Sequence, residues 1–262
     1  MTTPTHPPLD HIRRILNQDR IWSAYAIMDL QPAFQPLCHW AVAEDGAGEA
    51  VALLFTGLTP PILLTVGEVA TLRQAIAQLP LPQKIYISAR LEHFSLLNES
   101  YDFTGSAHEM QRMRLVDTGK VSLPQVAGLR RLTAADADTL SALYAHGGEF
   151  APDFFEAYQL EDGVYFGMSD EDGALVAAGG THIVDRQEKI AAVGNMYTCA
   201  DQRGKGYAST IVQAVVATLL AEGFQDIFLN VDPANHNAQR IYRRYGFVDY
   251  CRYMEGTGVG RG

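Results

Sequence analysis

An α+β chain in two domains is what this sequence predicts, and three observations carry the expectation. Short apolar runs alternate with amphipathic segments along its length. Two pairs of those runs flank acidic, glycine-bearing turns, Glu44-Asp45-Gly46-Ala47-Gly48 and Ser169-Asp170-Glu171-Asp172-Gly173, which is a hairpin pattern. From Ile190 to Ala221, an apolar run, a glycine-rich basic turn and a segment without Pro or Gly follow one another as strand, turn and helix. With 262 residues, 47% of them hydrophobic, the chain can fill the cores of one large or two ordinary domains.

Taken in order, Leu9 to Leu16 has the spacing of a short helix, with Ile12 and Leu16 on one side, while Ile21 to Leu30 fits a strand or a helix equally. His39–Ala43 and Ala50–Thr56 form the first hairpin. Pro60-Pro61 punctuates, Ile62–Val66 is a strand, and Val69–Leu79 is a helix ended by Pro80 and Pro82. Gln83–Ala89 reads as a strand and Glu92–Tyr101 as a helix. Met110–Val116 has strand character and Asp117–Pro124 is loop-like, so the domains are expected at 1–124 and 125–262.

The second domain opens on the strand Leu129–Leu132. Thr133-Ala134-Ala135-Asp136 then has the form of a capping box, Asp standing for the usual Glu or Gln, ahead of a helix to Ala145. An aromatic-rich helix is expected over Phe150–Leu160, and a hairpin over Val164–Met168 and Leu175–Gly180. The strand Ile190–Thr198, the turn Ala200–Gly206 and the helix Tyr207–Ala221 come next, followed by a strand at Gln225–Val231. Phe247–Met254 closes the fold as a strand. The glycine-rich residues Glu255–Gly262 are expected to fray.

The net charge of −10 argues against nucleic acid or an anionic membrane as partner, since both need a basic face. Cys38, Cys199 and Cys251 lie far apart with neither disulfide nor zinc spacing, which suits a reducing, cytoplasmic compartment. None of the eight histidines stands at metal-ligand spacing, so no metal is expected. No export signal or uninterrupted apolar run of about 18 residues is present.

The strand–turn–helix of Ile190–Ala221 is a phosphate cradle: glycines let the backbone turn tightly, and the first N–H groups of the helix present positive partial charge to an anion. A P-loop needs Gly-Lys followed by Ser or Thr, whereas Lys205 is followed by Gly206, and a dinucleotide fingerprint lacks its third glycine, Ser209 standing there. Arg203-Gly204-Lys205-Gly206-Tyr207-Ala208 instead satisfies Arg/Gln-x-x-Gly-x-Gly/Ala. Downstream, Asn235 opens a short helix, Tyr242 follows seven residues later, and Gly246-Phe247 closes it. On these two motifs the chain, from about Gln125 to about Met254, resembles the GNAT superfamily of N-acetyltransferases.

That resemblance implies a three-layer α/β/α acyl-CoA N-acyltransferase fold with a mixed central sheet. It implies acetyl-CoA as co-substrate, its diphosphate on Arg203, Gly204, Lys205, Gly206, Tyr207 and Ala208, and its pantetheine arm along Met196, Tyr197 and Thr198. Such an arm can act as a pseudo-strand at a splayed sheet edge. Asn235 matches the residue that contacts the arm, and Tyr242 the tyrosine that protonates the departing thiolate. A phenol suits that task because it stays protonated at neutral pH. The acceptor amine, small molecule or peptide, is not readable, nor is the choice between monomer and homodimer.

The proton acceptor for that amine stays open. Some relatives carry a Glu where this chain has Asn230, which cannot take a proton at neutral pH; Glu149, Asp153, Glu156 or a water held by Asn195 are the alternatives. A CoA-binding module without turnover is the competing reading.

The order of elements also recurs between the halves. Gln83-Lys84-Ile85-Tyr86-Ile87 matches Gln225-Asp226-Ile227-Phe228-Leu229, and Tyr101-Asp102-Phe103 matches Tyr245-Gly246-Phe247. The first half is thus expected to be a degenerate copy of the same architecture without the cradle, similar in layout to glycine N-acyltransferase-like proteins, or else an unrelated module.

Overall fold

The computed structural model describes residues 7–119, 121–148, 151–152 and 155–261. The chain divides into two compact units, one running to Gln111 and resuming at Cys251, the other Arg112–Tyr250.

In the first unit, α1 (Leu9–Leu16) and α2 (Arg20–Met28) precede β1 (Cys38–Asp45), β2 (Gly48–Phe55) and β3 (Ile62–Gly67). Next come α3 (Val69–Ile76), β4 (Lys84–Arg90), α4 (Leu91–Ser100), the two-residue β5 (Tyr101–Asp102) and β6 (His108–Leu115), which crosses into the second unit. The ambiguous Ile21–Leu30 stretch is the helix α2, started by Asp19, whose carboxylate accepts from the Trp22 N–H. β1, β2 and β3 pair antiparallel and β3 runs parallel to β4, so the sheet is mixed. Leu63, Ile85, Ile87 and Ala89 are fully buried on it.

The second unit continues with β7 (Leu129–Leu132), α5 (Ala137–Tyr144), α6 (Tyr158–Asp162), β8 (Tyr165–Ser169), β9 (Leu175–Asp185) and β10 (Ile190–Thr198). After these come α7 (Tyr207–Ala221), β11 (Asp226–Val231), α8 (His236–Arg244) and β12 (Phe247–Gly260), which passes into the first unit at Cys251. Its strands lie in the order β11, β10, β9, β8, β7, with β10 parallel to β11 and the other pairs antiparallel. α7 buries Ile211, Val212, Val215, Val216 and Leu219 against this sheet. Each such side chain stabilises by about 1.5–3 kcal/mol. The capping box predicted at Thr133 and Asp136 is present, the Asp136 carboxylate accepting from the Thr133 N–H at 2.8 Å.

Three expectations need correction. The helix expected over Phe150–Leu160 is the shorter α6, beginning at Tyr158. Pro152 has no N–H to give a helix, and the backbone N–H of Glu156 is taken by the Gln159 side chain. Residues 149, 150, 153 and 154 lie outside the described set.

The tail is not frayed. β12 runs to Gly260, and its stretch Tyr253–Val259 pairs antiparallel with β4 from Arg90 back to Lys84. Its glycines mark close approach: a Cβ on Gly256 would lie 2.5 Å from Ala107 Cα, and one on Gly258 2.3 Å from the Phe103 ring. For the same reason the compact units do not divide at Pro124; the first closes at Gln111 and takes back the chain from Cys251.

Candidate active site

The site is built on β10, the turn after it, and two helix N-termini, all within the second unit. β10 pairs with β11 from Ile190 opposite Asp226 to Val193 opposite Leu229, and there the parallel register ends. Beyond it, β10 keeps its pairing with β9 but carries a bulge, two residues, Asn195 and Met196, standing opposite Gly179. Asn195 has φ 53°, a left-handed conformation uncommon for a side chain-bearing residue. Hydrogen bonds hold it there. The Tyr144 hydroxyl donates to its carbonyl at 2.7 Å, its own Nδ2 donates to the Tyr165 hydroxyl at 2.7 Å, and its side chain also bonds His182.

The bulge sends neighbouring side chains to opposite faces. Met196 packs against the α7 core, while Tyr197 belongs to the cluster of Tyr144, Leu160 and Tyr165 and donates its hydroxyl to the Gly147 carbonyl at 3.0 Å. Burial raises the Tyr144 and Tyr165 phenols, and desolvation lowers His182, with the Asn195 hydrogen bond pulling the other way. At neutral pH this side of the strand is therefore an uncharged set of two phenols, an amide and an imidazole.

The turn brings the chain from Thr198 to the start of α7. Gly206 is the N-cap at φ 86°, and Gly204 stands at φ 81°. A Cβ at either would meet open space, so conformation rather than room requires glycine. The Thr210 N–H reaches the Gly206 carbonyl at 3.0 Å, whereas those of Tyr207, Ala208 and Ser209 have no carbonyl a turn earlier to reach. α7 has no acidic residue in its first turn. Arg203 Nε donates to the Thr198 carbonyl at 3.3 Å and Lys205 Nζ to Gln202 Oε1 at 2.7 Å, and both side chains are exposed. Backbone N–H groups at a helix N-terminus with two cations at the rim are an arrangement suited to an anion.

α8 starts at Asn235, whose Oδ1 caps the Ala238 N–H at 3.0 Å. The helix is tied to α7 by Tyr245, whose hydroxyl meets Ser209 Oγ at 2.9 Å. One turn before Tyr245, Tyr242 is 7% exposed, edge-on to Phe247 at 6.0 Å, and burial pushes its phenol up to about 12. Among the described residues its hydroxyl meets no hydrogen-bond partner. Tyr242 sits in the same apolar cluster as Ile211, with Met196 and Tyr207 packed on it, so three of the residues singled out in the sequence meet on one core.

Asn235 spends its side-chain oxygen on the cap, and Tyr197 faces the other side of the sheet. Of the candidates for amine deprotonation, Glu156 is exposed, and Glu149 and Asp153 lie outside the described residues. Tyr144, Tyr165 and His182 were not anticipated; they come from three separate elements, and nothing local in the sequence marks them. Cys199 Sγ stands 3.4 Å from His146 Nδ1, and burial raises its thiol, which argues against a nucleophile. Elsewhere, His11, Glu44 and Glu49 of the first unit converge, but Arg14 bonds both carboxylates and supplies the positive charge there. Among the described residues no helix is long and apolar enough to cross a membrane.

Residues 130–247 match the model of the Acetyltransferase (GNAT) family. No sequence of a curated protein matches the chain. Solved structures share the fold across both units. A GCN5-related N-acetyltransferase from Kribbella flavida is 17% identical, with a TM-score of 0.56 over 93% of this chain and 95% of its own. A Drosophila protein reaches a TM-score of 0.67 at 10% identity, covering 97% of each chain. A tandem GNAT protein from the clavulanic acid biosynthesis pathway gives 0.55 at 14% identity, over 87% of this chain and 84% of its own.

Proposed function

We propose that the protein is an acyl-CoA-dependent N-acyltransferase that passes an acetyl group directly from acetyl-CoA to a primary amine. The observation that carries this reading is the opening between β10 and β11, which leads without interruption into the glycine turn and the N-terminus of α7. The diphosphate is held by the N–H groups of Gly206, Tyr207 and Ala208, with Arg203 and Lys205 screening its charge. The pantetheine arm runs along Met196, Tyr197 and Thr198, in place of the strand that β11 no longer supplies. Asn235 keeps α8 started so that Tyr242 faces the departing sulfur. A buried phenol with a pKa near 12 stays protonated and can donate to the thiolate as the C–S bond breaks.

The first unit is, on this reading, a degenerate copy of the same fold. Two facts support it: β1, β2, β3, α3, β4 and α4 repeat the order of β8, β9, β10, α7, β11 and α8, and both sets contain two antiparallel pairs followed by one parallel pair. The catalytic half is then the second unit, Arg112–Tyr250.

Isothermal titration with acetyl-CoA tests the reading, together with thiol release across a panel of amino acids, polyamines and peptides. Binding of one acetyl-CoA per chain and amine-dependent thiol release are expected. Absence of binding at millimolar ligand would remove the proposal, and two sites per chain would remove the degenerate assignment of the first unit.

A further inference from the structure

The position at which some relatives carry an acidic residue holds Asn230, and the structure explains how it is occupied. Its Oδ1 accepts from Arg112 Nε at 2.9 Å, and the Arg112 guanidinium lies 4.7 Å from the centre of the Phe228 ring, buried in the protein. An amide oxygen fixed on a guanidinium takes no proton.

Val193 and Leu229, the last pair in register, point into the α7 core, so the next residues, Gly194 and Asn230, turn to the opposite face across the opening. His182 of β9 stands on that face: a Cβ built on Gly194 would lie 3.1 Å from His182 Cβ. One face thus carries, on three successive strands, an imidazole, a glycine without a side chain, and an amide. Of these, the imidazole can accept a proton.

The imidazole is also oriented. Asn195 gives its Nδ2 to the Tyr165 hydroxyl, which leaves its Oδ1 to receive an N–H from His182. A neutral imidazole that donates from one nitrogen carries a lone pair on the other. The carbonyl of His182 accepts from Gln159 Nε2 at 3.0 Å, anchoring the backbone at the β9 irregularity opposite Ala192 and Val193.

We propose that His182 receives the proton of the acceptor amine, with Asn195 setting its tautomer and Gly194 leaving the space in which the amine meets the thioester. The inference rests on the acyl-transfer reading above. The unprotonated amine attacks the thioester carbonyl carbon; the C–N bond forms and the C–S bond breaks. The extra proton on nitrogen passes to His182, and the sulfur takes one from Tyr242. Exchange with solvent then returns a proton to Tyr242 and removes one from His182, so the sum is amine plus thioester giving amide plus thiol. Burial, which lowers the imidazole, keeps it neutral and ready to accept.

The test uses the full chain, acetyl-CoA and the fastest amine of the panel. His182→Gln and His182→Ala are expected to lower kcat by about 10²–10⁴-fold while the Kd for acetyl-CoA stays within about twofold. Added imidazole should restore part of the rate to His182→Ala and leave the wild type unchanged. Full kcat in either variant overturns the proposal. So does a loss that imidazole does not rescue, or one accompanied by lost acetyl-CoA binding, since both assign His182 to the scaffold. A wild-type protein that releases no thiol with any amine defeats the acyl-transfer reading itself, and that result needs no variant.

Discussion

In the first unit β3 and β4 run parallel from Ile62 opposite Tyr86 to Leu64 opposite Ser88 and then part; in the second, β10 and β11 do the same from Ile190 to Val193. The two openings are filled differently. Beyond Leu64, the Thr65 carbonyl accepts from Trp22 Nε1 at 2.9 Å, the Thr65 hydroxyl meets His93 Nδ1 at 3.0 Å, and His93 Nε2 meets the Gly67 carbonyl at 2.9 Å. A single residue, Glu68, then separates β3 from α3. In the second unit the corresponding stretch carries a bulge, and eight residues, Cys199 to Gly206, wind to the N-terminus of α7. The first opening is thus sealed by the unit's own side chains, and the second leads into a glycine turn and a helix N-terminus. What separates the two is the connection after the strand and which groups satisfy the strand's backbone.

The strongest way to break this comparison is to damage the cradle. Gly206→Glu forces a side chain-bearing residue into a left-handed conformation at a cost of about 1–2 kcal/mol and sets a negative charge against the diphosphate. Acetyl-CoA affinity should fall by about a thousandfold or more, equivalent to roughly 4 kcal/mol, in a variant with a wild-type circular dichroism spectrum. Unchanged titration isotherms would show that α7 binds no phosphate.

Next in size is Tyr242→Phe. The ring and its edge contact with Phe247 survive, so the Kd should hold, while kcat at neutral pH should drop by about 10²–10⁴-fold. Because the native phenol stays protonated up to about 12, the wild type keeps its donor through the accessible range. The variant's deficit should shrink as pH passes roughly 8.5, where a thiol leaves readily as the anion. Full activity at pH 7 would make Tyr242 a packing residue.

A smaller effect should follow from Arg203→Ala, whose guanidinium is exposed at the rim. CoA should bind about tenfold more weakly and pantetheine, lacking phosphates, should be unaffected. Equal losses for both ligands would mean that Arg203 holds the turn through Thr198 instead.

The mildest test addresses the sealed opening. Burial depresses His93, so the unfolded chain protonates first, and the stability that the neutral imidazole contributes is full above about pH 6.5 and declines as the pH falls. His93→Gln should lose about 1 kcal/mol at pH 7.5, one hydrogen bond's worth, and flatten the fall of Tm between pH 7 and pH 5. Melting curves with identical pH slopes would remove His93 from that role.

The parts of the site that were legible in the sequence are those whose residues are neighbours along the chain. Arg203 to Ala208 make their turn by local conformation, and the cap at Asn235 is a three-residue interaction; both can be read from spacing. The bulge at Asn195 depends on Tyr144, Tyr165 and His182, which are 51, 30 and 13 positions away, and no local pattern encodes that meeting. Hairpins and α7 were legible because period and turn residues specify them. The glycines of 256–260 misled because glycine signals both looseness and close backbone approach, and only the partner strand β4 decides between them.

That last strand has a consequence for how the protein is made. The stretch that pairs with β4 emerges from the ribosome after the entire second unit, which at roughly 5–20 residues per second delays it by about 10–30 s. Throughout that interval the nascent chain carries β4 with its neighbour missing, an open edge of the kind that invites pairing with foreign strands. The second unit can close while the first is still waiting for the strand that pairs with β4.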